Sequence, residues 1–249
     1  MRDFVISVWA MKSQNNVKNP RLYVSSRIKK GQEIVLDLQQ FHYLRDVLRQ
    51  EEGSEIRIFN GQDGEWSSVF HVRNKKSSSL EPQVLIVRQN HIAKRIHLLF
   101  PPIKKNRLDF MIEKSVELGV TDLHPILTQN TDVRKINQQR LDAQIIEASE
   151  QSERLNLPIL HSIETLEKKC LSWNVKVPIF SAIERYDCDT IKNIKSNIDI
   201  AFMVGPEGGF TKQEVLFLTS CSYVTPVSLG ARILRVETAA LYGLVALSE

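Results

Sequence analysis

Cysteine is scarce in this chain and cannot pair evenly. The three residues, Cys170, Cys188 and Cys221, form no CxxC and stand far from any histidine pair, so neither a disulfide framework nor a structural zinc is expected, and they read as reduced core thiols of a cytoplasmic protein. The six histidines are scattered, with no HExxH or HxH among them, which leaves a metal site without support. Long apolar runs are missing too. No stretch approaches the roughly 18 to 20 residues that a membrane span needs, and the opening "MRDFVISVWAMKSQNN" is broken by Asp3, Ser7 and Lys12. We therefore expect a soluble protein with no export signal and no membrane partner. Neither GxGxxG nor GxxxxGK(S/T) occurs, which argues against a dinucleotide or ATP site.

With 249 residues, 42 % of them hydrophobic, the chain can bury a real core as one large domain or two smaller ones. The net charge is only +4, yet it is unevenly spread: residues 1–92 hold 14 Lys and Arg against 10 Asp and Glu, while residues 93–249 hold 19 of each. The whole basic excess lies in the first third, a distribution that suits a polyanionic partner such as nucleic acid.

From Arg21 to about Gln89 the apolar residues fall in short strand-like runs, "RLYVSS", "EIVLDL", "SEIRIFNG", "EWSSVFHVR" and "PQVLIVRQ", with the turn "NGQDGE" between two of them. Such spacing predicts a small β-barrel or sandwich. One helix, "FHYLRDVLRQ", interrupts it: Leu44, Val47 and Leu48 share an anchoring face, while His42, Arg45 and Arg49 cluster on the opposite one. That basic face is either simply solvated or in contact with phosphates. The serine-rich "KKSSSLEPQ", Lys75 to Gln83, reads as a long hairpin loop. A boundary near "QNHIAKR" separates a domain over residues 20–90 from one over 91–249, and residues 1–19 form an extension without assignment.

Beyond Ile96 strand and helix alternate: "IHLLF", a helix through "KNRLDFMIEKSVELGV", "LHPIL", a helix over "NQQRLDAQIIEASEQSERL", "VPIFS", "IDIAFMVG", the helix "TKQEVLFLTS", "YVTPVSL" and a last helix "VETAALYGLVALS". This order predicts an α/β domain with a mostly parallel sheet. In "VGPEGGFTKQE", Thr211 and Glu214 fit a capping box, so Gly205, Gly208 and Gly209 lie between a strand end and a helix start, where open α/β sheets bind ligands. "SLGARILRVETAALYGL" repeats the arrangement around Gly230, with Arg232 and Arg235 close to Glu237 and Thr238. Two such loops at adjacent strand ends can wall one slot; the bland alternatives are a plain chain reversal and a surface ion pair of the arginines with a glutamate.

The segments "FMVGPEGGFTKQEV" and "SLGARILRVETAALYGL" together resemble the signature of the SPOUT-type methyltransferases, and closely the 16S ribosomal RNA uracil-N3 methyltransferase family. The likeness extends through "EASEQSERLNLP", "RLDFMIEKSVELGV", "HYLRDVLR" and "IRIFNGQDGEW", from about Pro20 to the end. It implies a PUA-like β-barrel that grips RNA, followed by a parallel-sheet domain closed by a trefoil knot. It also implies S-adenosylmethionine bent within that knot, a homodimer bordering the site, and 16S ribosomal RNA or the small subunit as partner. By this resemblance Val204, Gly205, Glu207 and Gly208, then Leu229, Gly230, Ile233, Leu234 and Thr238, hold the cofactor, with Ser181 in a third loop. Arg232 and Arg235 would steady the uracil anion, and Glu207 would accept its proton, cap the next helix or bind a ribose hydroxyl. Arg21, Arg27, His42, Arg45 and Arg49 would meet RNA phosphates. Two positions depart from the family: Val236 stands for a threonine, and Asn130 for an arginine. The alternatives from other classes are a non-catalytic RNA-binding or ribosome-assembly protein, and a nucleotide-binding oxidoreductase, which the glycine spacing disfavours.

Overall fold

A computed structural model describes residues 19–184, 186–194 and 198–248, so the extension read over residues 1–19 lies, apart from Asn19, outside the described residues. The chain divides into two compact units, one up to His91 together with Glu153–Asn156, the other formed by Ile92–Ser152 and the residues from Leu157 onward. The return of Glu153–Asn156 to the first unit has no counterpart in the sequence pattern.

In the first unit β1 (Arg21–Tyr23), β2 (Ile34–Val35), β3 (Glu55–Phe59), β4 (Glu65–Asn74) and β5 (Ser77–Val87) form one sheet in the order β1-β3-β4-β5-β2, antiparallel except between β1 and β3. Register shifts along β4 and β5 bend the ladder, and the curled sheet closes on Leu22, Ile56, Ile58, Phe70 and Leu80. This is the PUA-like element expected. Of the serine-rich stretch read as a loop, only Lys75 and Lys76 form the turn, and the rest belongs to β5. Ser78 and Ser79 are fully buried, because their backbone pairs with both β4 and β2 and small side chains fit under the curl.

Helix α1 (Leu38–His42) starts on a capping box between Asp37 and Gln40 and anchors Phe41 in the core. It continues as a π-helical turn, Tyr43–Val47, in which Leu48 N–H bonds to the Tyr43 carbonyl at 3.0 Å. The wider turn corrects the helical wheel: Leu44 is buried, but Val47 is 65 % exposed. Arg21, expected among the phosphate contacts, is also corrected. Strand alternation puts it on the sheet face opposite Leu22, where it is nevertheless buried: Nε donates to Glu65 Oε2 at 2.8 Å and the guanidinium lies 3.7 Å from the Phe59 ring centre. Arg57 takes the other Glu65 oxygen at 3.2 Å and holds Glu153 at 2.7 Å. A buried carboxylate survives only with such partners.

The second unit holds β6 (Ile96–Phe100), β7 (Asp122–Leu127), β8 (Ile159–Leu160), β9 (Glu164–Thr165), β10 (Ile179–Ala182), β11 (Ile200–Val204) and β12 (Val224–Val227). All pairings are parallel, in the order β12-β10-β11-β6-β7-β8 with β9 also on β7. Helices α2 (Lys105–Glu117), α3 (Gln138–Gln151), α4 (Leu166–Leu171), α5 (Lys212–Ser220) and α6 (Val236–Ser248) accompany the strands, and separate apolar clusters cover the sheet's two faces. The short β8, β9 and α4 carry too few residues for a readable period. Helix α6 reaches the sheet because Gly243 has no side chain: a Cβ there would lie 2.0 Å from the Phe202 ring. Of the thiols, Cys170 is buried, whereas Cys188 and Cys221 are only partly so.

Three of the six histidines, read as scattered, meet at the amino-terminal end of this sheet. His97 Nδ1 lies 3.1 Å from His124 Nε2, the His161 ring stacks on His124 at 3.9 Å, and His161 Nε2 lies 2.9 Å from Asp122 Oδ1. His97, Asp122 and His124 could in principle face one metal ion. The donor set does not fit one. Asp122 already accepts from Arg95 Nε (2.9 Å) and Nη2 (2.6 Å), from His161 and from the Thr121 hydroxyl. A metal on His124 Nε2 would also leave the proton on Nδ1, which is buried with no partner. The cluster is a hydrogen-bonded lock. Burial pushes His124 down to about 2, helped by the electrostatic influence of the neighbouring His161 and Lys169. Burial alone would raise the Asp122 carboxyl, but the hydrogen bonds from His161 and Arg95 outweigh it and hold it well below the usual carboxylate range.

A depressed folded-state value means that this carboxylate stabilises the fold above the unfolded carboxyl range near pH ~4 and loses that contribution as pH falls through the folded value. Asp122→Asn should cost about 3 kcal/mol in urea unfolding at pH 7, the lower end for breaking a buried pair because Arg95 stays partly exposed. It should also flatten the acid limb of the stability profile; an unchanged limb would contradict the lock.

Candidate cofactor and substrate site

The site is set by register. Ala182 pairs with Val204 on one side and Val227 on the other, so β10, β11 and β12 end level. The two glycine loops, read as lying at adjacent strand ends, are in fact separated by β10, which places the loop after Ser181 in the middle. Ser181 is fully buried and its hydroxyl oxygen has no hydrogen-bond partner. A buried hydroxyl left unpaired costs about 1–3 kcal/mol unless something supplies the partner.

On one side, Val204 is buried and the chain turns through Gly205, Pro206, Glu207, Gly208 and Gly209 into α5. The capping box forms as expected: Thr211 Oγ1 accepts from Glu214 N at 3.2 Å, and Glu214 Oε2 accepts from Thr211 N at 2.8 Å. Glu207 therefore does not cap this helix. The loop is braced from the turn after β7: the Gln129 N–H donates to Glu214 Oε1 at 2.8 Å, and Asn130 Nδ2 donates to the Gly209 carbonyl at 2.9 Å and the Gly208 carbonyl at 3.2 Å. Asn130, noticed in the sequence only as a departure, holds the glycine loop.

On the other side, the chain leaves β12 through Ser228, whose N–H bonds to the Asp189 carbonyl and whose carbonyl accepts from Ile191. Leu229 and Leu234 are half-buried, and Gly230, Arg232, Ile233, Arg235 and Thr238 are exposed. Gly230 has φ 106, a conformation that disfavours any side chain. Among the described residues neither Arg232 nor Arg235 is ion-paired, so the surface pairing with Glu237 does not form. The partner of that carboxylate is Arg107, early in α2, which sequence reasoning missed: its Nη2 lies 3.0 Å from Glu207 Oε1 and its Nη1 3.9 Å from Glu237 Oε2. Glu237 is buried, and its Oε2 accepts no hydrogen bond. A single arginine in "KNRLDF" carries no sequence signal for this role.

Glycine-lined backbone, a buried unpaired hydroxyl and an under-satisfied carboxylate near three level strand ends suit a polar ligand bound outside the sheet's carboxyl edge. A cavity of about 510 Å³ elsewhere, bounded by Phe180, Tyr186, Cys188, Thr190, Pro226 and Val227, includes none of the expected cofactor residues.

In the first unit the remaining basic residues are exposed to different degrees. Arg27, 67 % exposed, pairs with Asp63 at 2.7 Å. His42 Nδ1 and Arg45 Nε lie 2.6 and 2.7 Å from Asp46, and the hydrogen bonds from Arg45 and His42 hold that carboxyl well below the usual range. Asp46 thus offsets part of the basic face. Arg49, at φ 54 where the helix ends, is exposed and has no ion-pair partner among the described residues.

A family model described as an RNA methyltransferase domain matches residues 90–248, and one described as an RNA methyltransferase PUA domain matches residues 36–83. The ribosomal RNA small subunit methyltransferase E of Rickettsia conorii is 33 % identical over 229 residues, covering 90 % of this chain and 93 % of that protein. A ribosomal RNA small subunit methyltransferase E from Neisseria gonorrhoeae, solved bound to S-adenosyl methionine, is 29 % identical with a TM-score of 0.82 over 92 % of this chain and 96 % of its own. A putative methyltransferase from Legionella pneumophila, solved with bound SAM, is 27 % identical with the same TM-score over 91 % and 96 %. With matched models over both units and a relative this close along nearly its full length, the chain belongs to the RNA methyltransferase family.

Proposed function

We propose that this protein methylates N3 of a uridine in 16S ribosomal RNA of the small subunit, using S-adenosylmethionine. The observation that carries the reading is the level ending of β10, β11 and β12 around the unpartnered Ser181 hydroxyl, in a chain whose relatives are small-subunit methyltransferases and whose structural neighbours hold SAM. Ser181, backbone groups of Val204 to Gly208 and of Leu229 to Leu234, and Thr238 would hold the cofactor. When bound it supplies an electrophilic methyl group, transferred in line with departure of the sulfur's bonding pair. The crossing of the chain past β10 between β11 and β12 is read as the trefoil knot of the family.

The chain's own residues have two tasks at the uracil. N3 carries a proton in the neutral base, and once it leaves, negative charge spreads onto the flanking carbonyl oxygens. Arg232 and Arg235, exposed and without carboxylate partners among the described residues, can donate to those oxygens; one preorganised donor is worth about 2.7–4 kcal/mol. Glu207 would accept the proton on the oxygen not held by Arg107. Because N3 lies on the pairing edge, the base must enter unpaired. Arg27, His42, Arg45 and Arg49 would position the RNA backbone. Phe110 on α2 and Val245 on α6, exposed on helices that pack together, offer apolar surface for a second copy.

Calorimetry should show one S-adenosylmethionine bound per chain, and labelled methyl should pass to small-subunit RNA at a single uridine, mapped as the N3-methyl base by mass spectrometry. Cofactor binding without transfer would favour the non-catalytic assembly role, and no binding would remove the reading altogether. Arg49→Ala should weaken RNA binding and reduce its log–log salt slope by about 0.7 to 1 while cofactor affinity stays unchanged; a matched loss of cofactor affinity would break this division of labour. Sedimentation at micromolar concentration should give the mass of two chains, and a monomer would remove the dimer from the account.

A further inference from the structure

We infer that Arg107 is a positioning residue that fixes the spacing of the two cofactor loops by holding, with one guanidinium, a carboxylate from the first loop and one from the helix that follows the second. The inference rests on the methyl-transfer reading for the purpose it assigns, but the clamp is a property of the fold. Glu207 belongs to the loop after β11 and Glu237 to the first turn of α6, so the two have no covalent connection shorter than α5 and β12. Arg107 comes from a third element, α2, near its start. Its Nη2 is 3.0 Å from Glu207 Oε1, and its Nη1 faces Glu237 Oε2 at 3.9 Å.

The rigid, planar fork of arginine suits a bridge of this kind, since two nitrogens of one charged group can face two carboxylates at once, whereas a lysine ammonium is a single point charge. Glu237 Oε2 is buried and lacks any hydrogen bond, so at 3.9 Å the guanidinium is the compensating charge for an otherwise isolated carboxylate. Without it two acidic groups would flank the slot uncompensated, and the loops would separate. Since Arg107 is 30 % exposed, its effect should fall between that of an exposed pair and that of a buried one.

In the full-length protein Arg107→Ala should weaken S-adenosylmethionine binding about tenfold, which is ~1.4 kcal/mol, with KM for RNA unchanged. Arg107→Lys should recover only part of the loss. On a Glu207→Gln, Glu237→Gln background, Arg107→Ala should have less than a twofold further effect, because nothing remains to bridge. An undiminished loss on that background would mean that Arg107 touches the ligand itself and would overturn the clamp, as would an affinity within twofold of the wild type for Arg107→Ala alone. Hydrogen exchange without cofactor reads the clamp directly. Amides of residues 207–211 and 229–236 should exchange faster in Arg107→Ala, and equal rates would refute it even if the wild-type protein bound no S-adenosylmethionine, the outcome that would instead sink the methyl-transfer reading.

Discussion

The constraint on which this protein's chemistry depends is the parallel register of three strands. Parallel pairing leaves every strand's carboxyl end on the same side, and the alignment of Ala182 with both Val204 and Val227 makes three loops start from one level. Everything proposed for the site follows from that coincidence: a buried hydroxyl near the end of the middle strand and glycine turns to either side. A slip of one residue in β10 would turn Ser181 to the opposite face of the sheet and separate it from both flanking loops.

The two ends of the same sheet use charge in opposite ways. At the amino-terminal end, Asp122 has all its acceptor positions filled by Arg95, His161 and Thr121, and the cluster stabilises without offering anything to a ligand. At the carboxyl end, Glu237 Oε2 and the Ser181 hydroxyl are buried and unsatisfied, and Arg232 and Arg235 lack acidic partners among the described residues. The carboxylate is completed by its neighbours at one end, where only His124 Nδ1 stays unpaired, while at the other a hydroxyl, a carboxylate oxygen and two arginines converge unsatisfied on the strand ends, where binding energy is to be gained.

Much of this architecture could be read from periodicity. The alternation from Ile96 onward placed β6, α2, β7, α3, β10, β11, α5, β12 and α6, because each is long enough, or sharply enough bounded by glycine and proline, to show its period. What failed did so for reasons that the residue types of a single segment do not carry. Val47 is exposed because a π-helical turn alters the wheel, and no residue type announces such a turn. Ser77–Ser79 form strand although polar, because pairing on both sides decides their state. Arg21 looked like a phosphate contact since burial of a charge depends on a partner 44 positions away. At the site the glycines and the capping box were legible as local motifs. The intervening β10, the brace by Asn130 and the bridge by Arg107 were not, because each joins segments far apart in sequence.

The most direct test of the account is a crystal structure of the protein grown with S-adenosylmethionine. The account predicts density for one cofactor bounded by Ser181–Ala182, Val204–Gly208 and Ser228–Leu234, with the Ser181 hydroxyl in hydrogen-bond contact with the ligand. Cofactor bound elsewhere, or the space between these loops filled by the protein's own side chains, would contradict it.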